Sequence, residues 1–187
     1  MFQQIFGFVT PIDSYLFLLI NGLPHFFISD ILFLAITGIA TYGFLWFVLA
    51  LTLRGKKGGR DLFYLTCLYI IFGIFIELFV KDIFGRLRPS ILLPSAIVVG
   101  PHFAEIFSNF SFPSGHAFYS FGLLRIFYIF ERKLFLPLFV FAFLVGFSRI
   151  YLGKHYPFDV IGGAMLGLFI AEILNKLYNE RKRGKHG

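Results

Sequence analysis

The stretch that decides the fold runs from Leu62 to Pro89 and reads LFYLTCLYIIFGIFIELFVKDIFGRLRP. Its first part, Leu62–Phe84, is almost entirely apolar and long enough for a helix that crosses a bilayer core, which takes about 20 residues. Its end changes character, because Lys81 and Arg88 stand there close together. Charged groups near a membrane interior are costly and usually functional. The stretch therefore predicts a membrane helix with a polar site at one end.

The rest of the chain has a similar composition. Of its 187 residues, 58% are hydrophobic and 14% are charged, against roughly 25% charged residues in an average soluble domain. A soluble protein of this size would lack the polar residues to cover its surface. The net charge of +7 does not indicate a nucleic-acid-binding protein, because the cations lie in short segments between apolar runs. The length suits one domain, residues 1–187, and is too short for two.

The apolar runs predict an all-α, polytopic membrane helix bundle. Besides the helix at Leu62–Phe84, spans are expected at Ile28–Leu53, Ala117–Phe130, Leu134–Tyr151 and Phe158–Tyr178. The segment Phe2–Leu23 is also apolar, but it contains Pro11 and Asp13. It fits either a short span or an amphipathic helix that lies on the membrane surface. We favour a span, which makes six transmembrane helices.

The distribution of Lys and Arg predicts the orientation of the bundle, since these residues mark cytoplasmic loops. Three basic clusters, within residues 54–60, 132–133 and 176–185, fall on one side of the predicted spans. The loops on the opposite side are Gly85–Pro113 and Leu152–Pro157. These two loops are therefore expected to face the periplasm or exterior.

Three polar groups stand at the outer ends of different spans, where the topology brings them to one face. A phosphoryl group in transfer spreads charge over its oxygens and requires fixed cations around it. Lys81, Arg88 and Arg149 can supply these cations, the two arginines by bidentate contact. Ser114 and Gly115 stand where a helix should begin, and a helix start adds backbone donors for an anion.

Two histidines are available for the chemistry. His155 has Asp159 four residues later, a spacing that puts both side chains on one helix face. A carboxylate bound to one ring nitrogen fixes the tautomer and leaves the other nitrogen basic. We therefore expect His155 to be the nucleophile and His116 to be the acid that protonates the leaving oxygen.

The ordered set Lys-x6-Arg-Pro, Pro-Ser-Gly-His and Ser-Arg-x5-His-x3-Asp resembles the motifs of the type 2 phosphatidic acid phosphatase (PAP2) superfamily. The resemblance covers Lys81–Asp159. It implies a helical bundle, a phosphohistidine intermediate on His155, and His116 acting first as acid and then as the base that activates water. It also implies that the protein needs no metal and no other cofactor.

The expected function is thus hydrolysis of a lipid phosphomonoester or diphosphate at the outer face of a bacterial-type inner membrane. Lipid A 1-phosphate, undecaprenyl diphosphate and phosphatidylglycerophosphate are the candidate substrates. The expected partners are this substrate and membrane lipids, with no nucleic acid and no obligate protein partner. Two alternatives stay open at this point: a lipid-to-lipid phosphotransferase, and a non-catalytic membrane protein that binds anions.

Three residues outside the proposed chemistry have structural interpretations. Glu77, four residues before Lys81, is expected to pair with Lys81 or with a neighbouring helix. Gly163 and Gly167 have the spacing of a closely packed helix pair. The Pro-Ser-Gly-His motif by itself also fits a simple helix start in which Ser114 caps the helix.

Overall fold

The computed structural model describes residues 2–100 and 109–184, with side chains from residue 10 onward. Residues 101–108 of the predicted outer loop lie outside this part. The described residues are almost entirely helical, apart from an antiparallel bridge between Leu87 and Phe110. This confirms the all-α prediction. The helices are α1 (Phe2–Asn21), α2 (Phe27–Ala40), α3 (Phe44–Leu53), α4 (Gly59–Phe84), α5 (Pro89–Leu92), α6 (Gly115–Phe130), α7 (Phe135–Tyr151) and α8 (Pro157–Arg183).

Four of the predicted spans have a counterpart that is long and apolar enough to cross a membrane. These segments are Phe27–Leu53, Gly59–Phe84, Arg132–Tyr151 and Pro157–Arg183. The helix α6 has 16 residues, slightly fewer than the 17–25 or so that a span usually needs. The helix α1 has 20 residues and contains Pro11. The count of six spans therefore stays a prediction.

The first of these segments is not one continuous helix. A 3₁₀ turn, Thr41–Gly43, separates α2 from α3, and the chain reaches a φ of 75° at Gly43. Glycine adopts this conformation at little steric cost. A side chain would also not fit, since a Cβ on Gly43 would lie 2.7 Å from Leu123. Hydropathy gave no sign of this break inside the predicted span Ile28–Leu53, because every residue near it is compatible with a membrane helix.

The centre of the bundle is the close packing of α6 against α8. A Cβ on Gly163 would overlap the carbonyl of Ser114, and a Cβ on Gly167 would overlap the carbonyl of Phe118. The predicted role of these two glycines in helix packing is thus confirmed. Tyr69 of α4 adds a third helix, since its hydroxyl lies 2.9 Å from the Phe118 carbonyl and donates to it.

The polar groups collect at one end of this bundle. The starts of α6 and α8 are joined there by a hydrogen bond from the Ser114 N–H to the Asp159 carbonyl, at 3.0 Å. The end of α4 lies beside them, because Glu77 contacts Gly115. The end of α7 joins them through Arg149, whose carbonyl accepts the N–H of His155.

Candidate active site

His155 lies in the short loop between α7 and α8, where hydrogen bonds fix its ring. The imidazole Nδ1 lies 2.8 Å from the carbonyl oxygen of Ser111. A carbonyl oxygen can only accept, so Nδ1 carries the proton and Nε2 keeps its lone pair. Nε2 lies 3.5 Å from Nη1 of Arg88. The ring nitrogen that keeps its lone pair is therefore the one beside a cation that can bind phosphate.

The protonation state of the His155 imidazole is controlled mainly by its burial. Burial lowers the pKa of the imidazole well below the ordinary 6.5, and the positive charges of Arg88, Arg149 and Lys81 lower this pKa further. The hydrogen bond to Ser111 acts in the opposite direction. The ring is consequently neutral at neutral pH, which a nucleophilic histidine requires.

Asp159 does not hold the His155 ring in the way the spacing suggested. Its Oδ2 lies 3.8 Å from Nδ1 of His155, which is beyond hydrogen-bond range. The carboxylate accepts instead from the Ser111 hydroxyl, from the Tyr156 N–H at 2.8 Å and from Arg86 at 2.7 Å. Asp159 therefore acts on the ring through Ser111 and through its charge. The four-residue spacing predicted the closeness of the two side chains but not the atom that reaches the ring.

His116 lies in the first turn of α6, next to the break between α2 and α3. Its Nε2 is 3.4 Å from Oγ1 of Thr41. The Thr41 hydroxyl donates to the carbonyl of Thr37 at 3.1 Å, so its oxygen can accept a hydrogen bond from His116. The charges that act on His116 and on His155 come from the same side chains, Lys81, Arg88 and Arg149. Both histidines thus belong to one site.

The three predicted cations reach this site from three parts of the chain, and all three are buried. Lys81, near the end of α4, pairs with Glu77 at 2.7 Å, which confirms the expected pairing. Arg149 donates to a threonine hydroxyl of α2 at 3.0 Å. Arg88 donates to the carbonyl of Lys154 at 3.1 Å. Buried charges are costly unless negative charge is nearby, so the cluster suits a bound phosphate.

The start of α6 offers further donors to an anion. Ser114 precedes the first helical residue, but its side chain does not cap the helix. Its buried hydroxyl has no hydrogen-bond partner within residues 10–100 and 109–184. A phosphate oxygen could take this place. At Gly115 a Cβ would overlap both carboxylate oxygens of Glu77. A side chain at this position would displace the Glu77 carboxylate, so the glycine serves packing in addition to any close approach of its backbone to a ligand.

Sequence reasoning missed several residues of this site. Arg86 lies at an unspecified position inside the Lys-x6-Arg-Pro motif, Ser111 lies between two motifs, and Thr37 lies in a helix that carries none of them. One signal was present: Asp13 is a carboxylate inside an apolar helix, where an ionised group needs a partner. It is fully buried and pairs with Arg86 at 2.6 Å.

Comparison with known proteins identifies the family of the chain. The model of the PAP2 superfamily matches residues 61–183. The chain is 32% identical over 172 residues to a lipid A 4'-phosphatase of Bacteroides thetaiotaomicron, with 87% of this chain and 75% of that protein covered. It is 30% identical over 156 residues to undecaprenyl-diphosphatase BcrC of Bacillus subtilis, with 83% and 78% covered. The crystal structure of Aquifex aeolicus LpxE is similar with a TM-score of 0.74 and 29% identity, over 87% of this chain and 94% of that one.

Proposed function

This chain belongs to the PAP2 superfamily and is a multi-pass membrane phosphatase, and from that premise we propose its reaction. It hydrolyses a phosphomonoester or diphosphate of an envelope lipid, at the outer face of a bacterial-type inner membrane. The reaction passes through a phosphohistidine on His155 and uses no metal. The observation that carries the proposal is the convergence of the buried His155, the partly buried His116 and three buried cations at one end of the bundle.

In the first step, Nε2 of His155 attacks the phosphorus atom of the substrate. A P–N bond forms, and the bond from phosphorus to the leaving oxygen breaks; this oxygen belongs to the lipid alcohol of a monoester or to the lipid monophosphate of a diphosphate. His116 donates its proton to the departing oxygen, which avoids the release of an unstable anion. The hydrogen bond from Nδ1 to the Ser111 carbonyl supports this step, because it keeps the proton away from Nε2.

In the second step, water attacks the phosphohistidine. His116, now unprotonated, accepts a proton from the water, and the P–N bond breaks. Inorganic phosphate leaves, and both histidines return to their starting protonation states. The two rings lie among the same cations, Lys81, Arg88 and Arg149, so both can act on one bound phosphoryl group.

Lys81, Arg88 and Arg149 stabilise the charge on the phosphoryl oxygens in both steps. The Ser114 hydroxyl and the start of α6 add hydrogen-bond donors. This set supplies the role that a metal ion has in other phosphatases, which is the basis for proposing a metal-independent reaction.

The relatives support an envelope lipid as the substrate. One is named a lipid A 4'-phosphatase, one an undecaprenyl-diphosphatase, and a Bacillus subtilis relative a phosphatidylglycerophosphatase B. The motif residues contact phosphate, which all these lipids share. We therefore propose lipid A 1-phosphate, undecaprenyl diphosphate and phosphatidylglycerophosphate as the substrates to test first.

The test is phosphate release by the purified protein in detergent, with EDTA present, across these three lipids and phosphatidate. We expect release from at least one lipid, and loss of that release in His155→Ala protein that is folded to the same extent. Transfer of phosphate to an added acceptor lipid, with no release to water, would identify a phosphotransferase instead. No reaction under either condition would indicate a non-catalytic protein that binds anions.

A further inference from the structure

Arg86 occupies one of the unspecified positions of the Lys-x6-Arg-Pro motif, yet it is as buried as the cations that the motifs specify. Its Nη2 lies 2.6 Å from Oδ2 of Asp13, and its Nη1 donates to Oδ1 of Asp159 at 2.7 Å. Its guanidinium also lies over the ring of Tyr156, 4.1 Å from the ring centre. One cation thus joins α1, the loop after α4 and the start of α8.

Arg86 reaches the nucleophilic histidine by two routes that meet at Ser111. Its backbone carbonyl accepts the N–H of Ser111 at 2.6 Å, and the carbonyl of Ser111 accepts the Nδ1–H of His155. Its side chain holds Oδ1 of Asp159, while Oδ2 of that carboxylate accepts from the Ser111 hydroxyl. Both routes end at the residue that fixes the tautomer and the direction of the histidine ring.

Asp13 holds Arg86 from the side of α1. The carboxylate is fully buried, and its other oxygen accepts the N–H of Phe158 at 3.0 Å. That N–H is in the first turn of α8, where backbone donors have no partner within the helix. Asp13 therefore satisfies a helix start and a buried cation together, which ties α1 to the end of the bundle that carries the histidines.

We infer that Asp13 and Arg86 form a positioning pair for His155. Asp13 holds Arg86, and Arg86 holds Ser111 and Asp159 against the imidazole. Both terminal nitrogens of the Arg86 guanidinium face carboxylates, so the pair acts through other residues. The inference rests on the proposed role of His155 as the nucleophile.

The pair also sets the balance of charge around the imidazole. Without the cation of Arg86, the carboxylate 3.8 Å from Nδ1 of His155 is less compensated, and the pKa of His155 rises. Without the negative charge of Asp13, the cation is less compensated, and the pKa of His155 falls. The other charged and titratable groups near the imidazole, which are Arg88, Arg149, Lys81, His116 and Asp159, are not themselves substituted in either variant.

The test compares Asp13→Asn, Arg86→Met and Arg86→Lys with the wild type. Asp61→Asn is the matched control, because it removes a partly exposed carboxylate that pairs with Lys182. We expect kcat for phosphate release to fall roughly tenfold in Asp13→Asn and about 100-fold in Arg86→Met, with KM within about threefold. Arg86→Lys keeps the charge and loses the planar fork, so its kcat lies between those of Arg86→Met and the wild type. Asp61→Asn keeps the wild-type kcat.

The second readout is the titration of His155, followed by NMR of histidine labelled with ¹⁵N. We expect its midpoint to move down in Asp13→Asn and up in Arg86→Met, a pair of opposite shifts that a loss of folding alone would not produce. A kcat within twofold of the wild type in Asp13→Asn and Arg86→Lys, or titration shifts of the same sign in Asp13→Asn and Arg86→Met, would overturn the inference. If Arg86→Met does not fold, the inference is tested by the kcat values of Asp13→Asn and Arg86→Lys and by the downward shift of the His155 titration midpoint in Asp13→Asn. The titration needs no turnover. An inactive wild-type protein would therefore refute the proposed function, while the titration shifts of His155 would still test whether Asp13 and Arg86 act on this histidine.

Discussion

The contact between Gly115 and Glu77 gives a prediction that separates two roles of the glycine. A Cβ at position 115 would come far closer to both Glu77 oxygens than 3.0 Å, a limit that real Cβ atoms essentially never pass. The carboxylate would have to move by roughly 1 Å. Lys81, which pairs with this carboxylate at 2.7 Å, would then either move too or lose the ion pair. Displacing a catalytic group by about 1 Å can cost 100-fold in rate. We therefore expect Gly115→Ala to lower kcat/KM by roughly 10- to 100-fold.

The assay is phosphate release in detergent, with the melting temperature measured alongside to confirm folding. Gly38→Ala in α2 is the matched control, because a Cβ there meets nothing within 4 Å. Glu77→Ala removes the side chain that the new methyl group would overlap. In a protein that already carries Glu77→Ala, adding Gly115→Ala should therefore lower kcat/KM by less than twofold. If Gly115→Ala lowers kcat/KM as much in the Glu77→Ala protein as it does in the wild type, the glycine is needed for contact with a ligand and not to make room for Glu77. That result would refute the packing explanation.

Three other predictions follow from the same geometry. His116→Ala should release roughly one equivalent of nitrophenol from p-nitrophenyl phosphate and then stall, because a good leaving group needs no acid but the phosphohistidine still needs a base; His155→Ala should release none in the same burst assay. Because the pKa of His155 is lowered, the acidic limb of the pH profile of kcat/KM should lie below pH 6.5. Only the neutral imidazole attacks, and its population falls as the pH drops through the pKa. An acidic limb above pH 6.5 would contradict this. Gly167→Ala should lower the melting temperature by roughly 2–10 °C, because its methyl group meets the Phe118 carbonyl, whereas Gly38→Ala should not.

Much of the site could be predicted because its residues have fixed places along apolar helices. When helices alternate in direction across a membrane, the end of one and the start of the next lie on the same side. This rule is enough to bring Lys81 and Arg88 towards His116, and both towards Arg149 and His155, as the structure shows. Their residue types then limit the chemistry to that of a phosphate ester or anhydride.

The connections between these residues could not be predicted in the same way. Spacing placed Asp159 near His155, but the atom that reaches the ring is the carbonyl of Ser111, and a backbone carbonyl has no signature in a sequence. Arg86 and Asp159 are 73 positions apart, so no periodicity joins them. The break at Thr41–Gly43 was missed for another reason. It changes backbone angles without changing hydropathy, so an apolar run that contains it looks like one that does not.

The ion pairs of Arg86 also bear on how the protein is made. The ribosome makes Asp13 before Arg86, and Arg86 before Asp159. A lone ionised group is costly inside a membrane, so the buried carboxylate of Asp13 gains its cationic partner only after Arg86 has left the ribosome. Asp159 and His155 come later still. A nascent chain that stops before His155 therefore holds Lys81, Arg88 and Arg149 but lacks the proposed nucleophile.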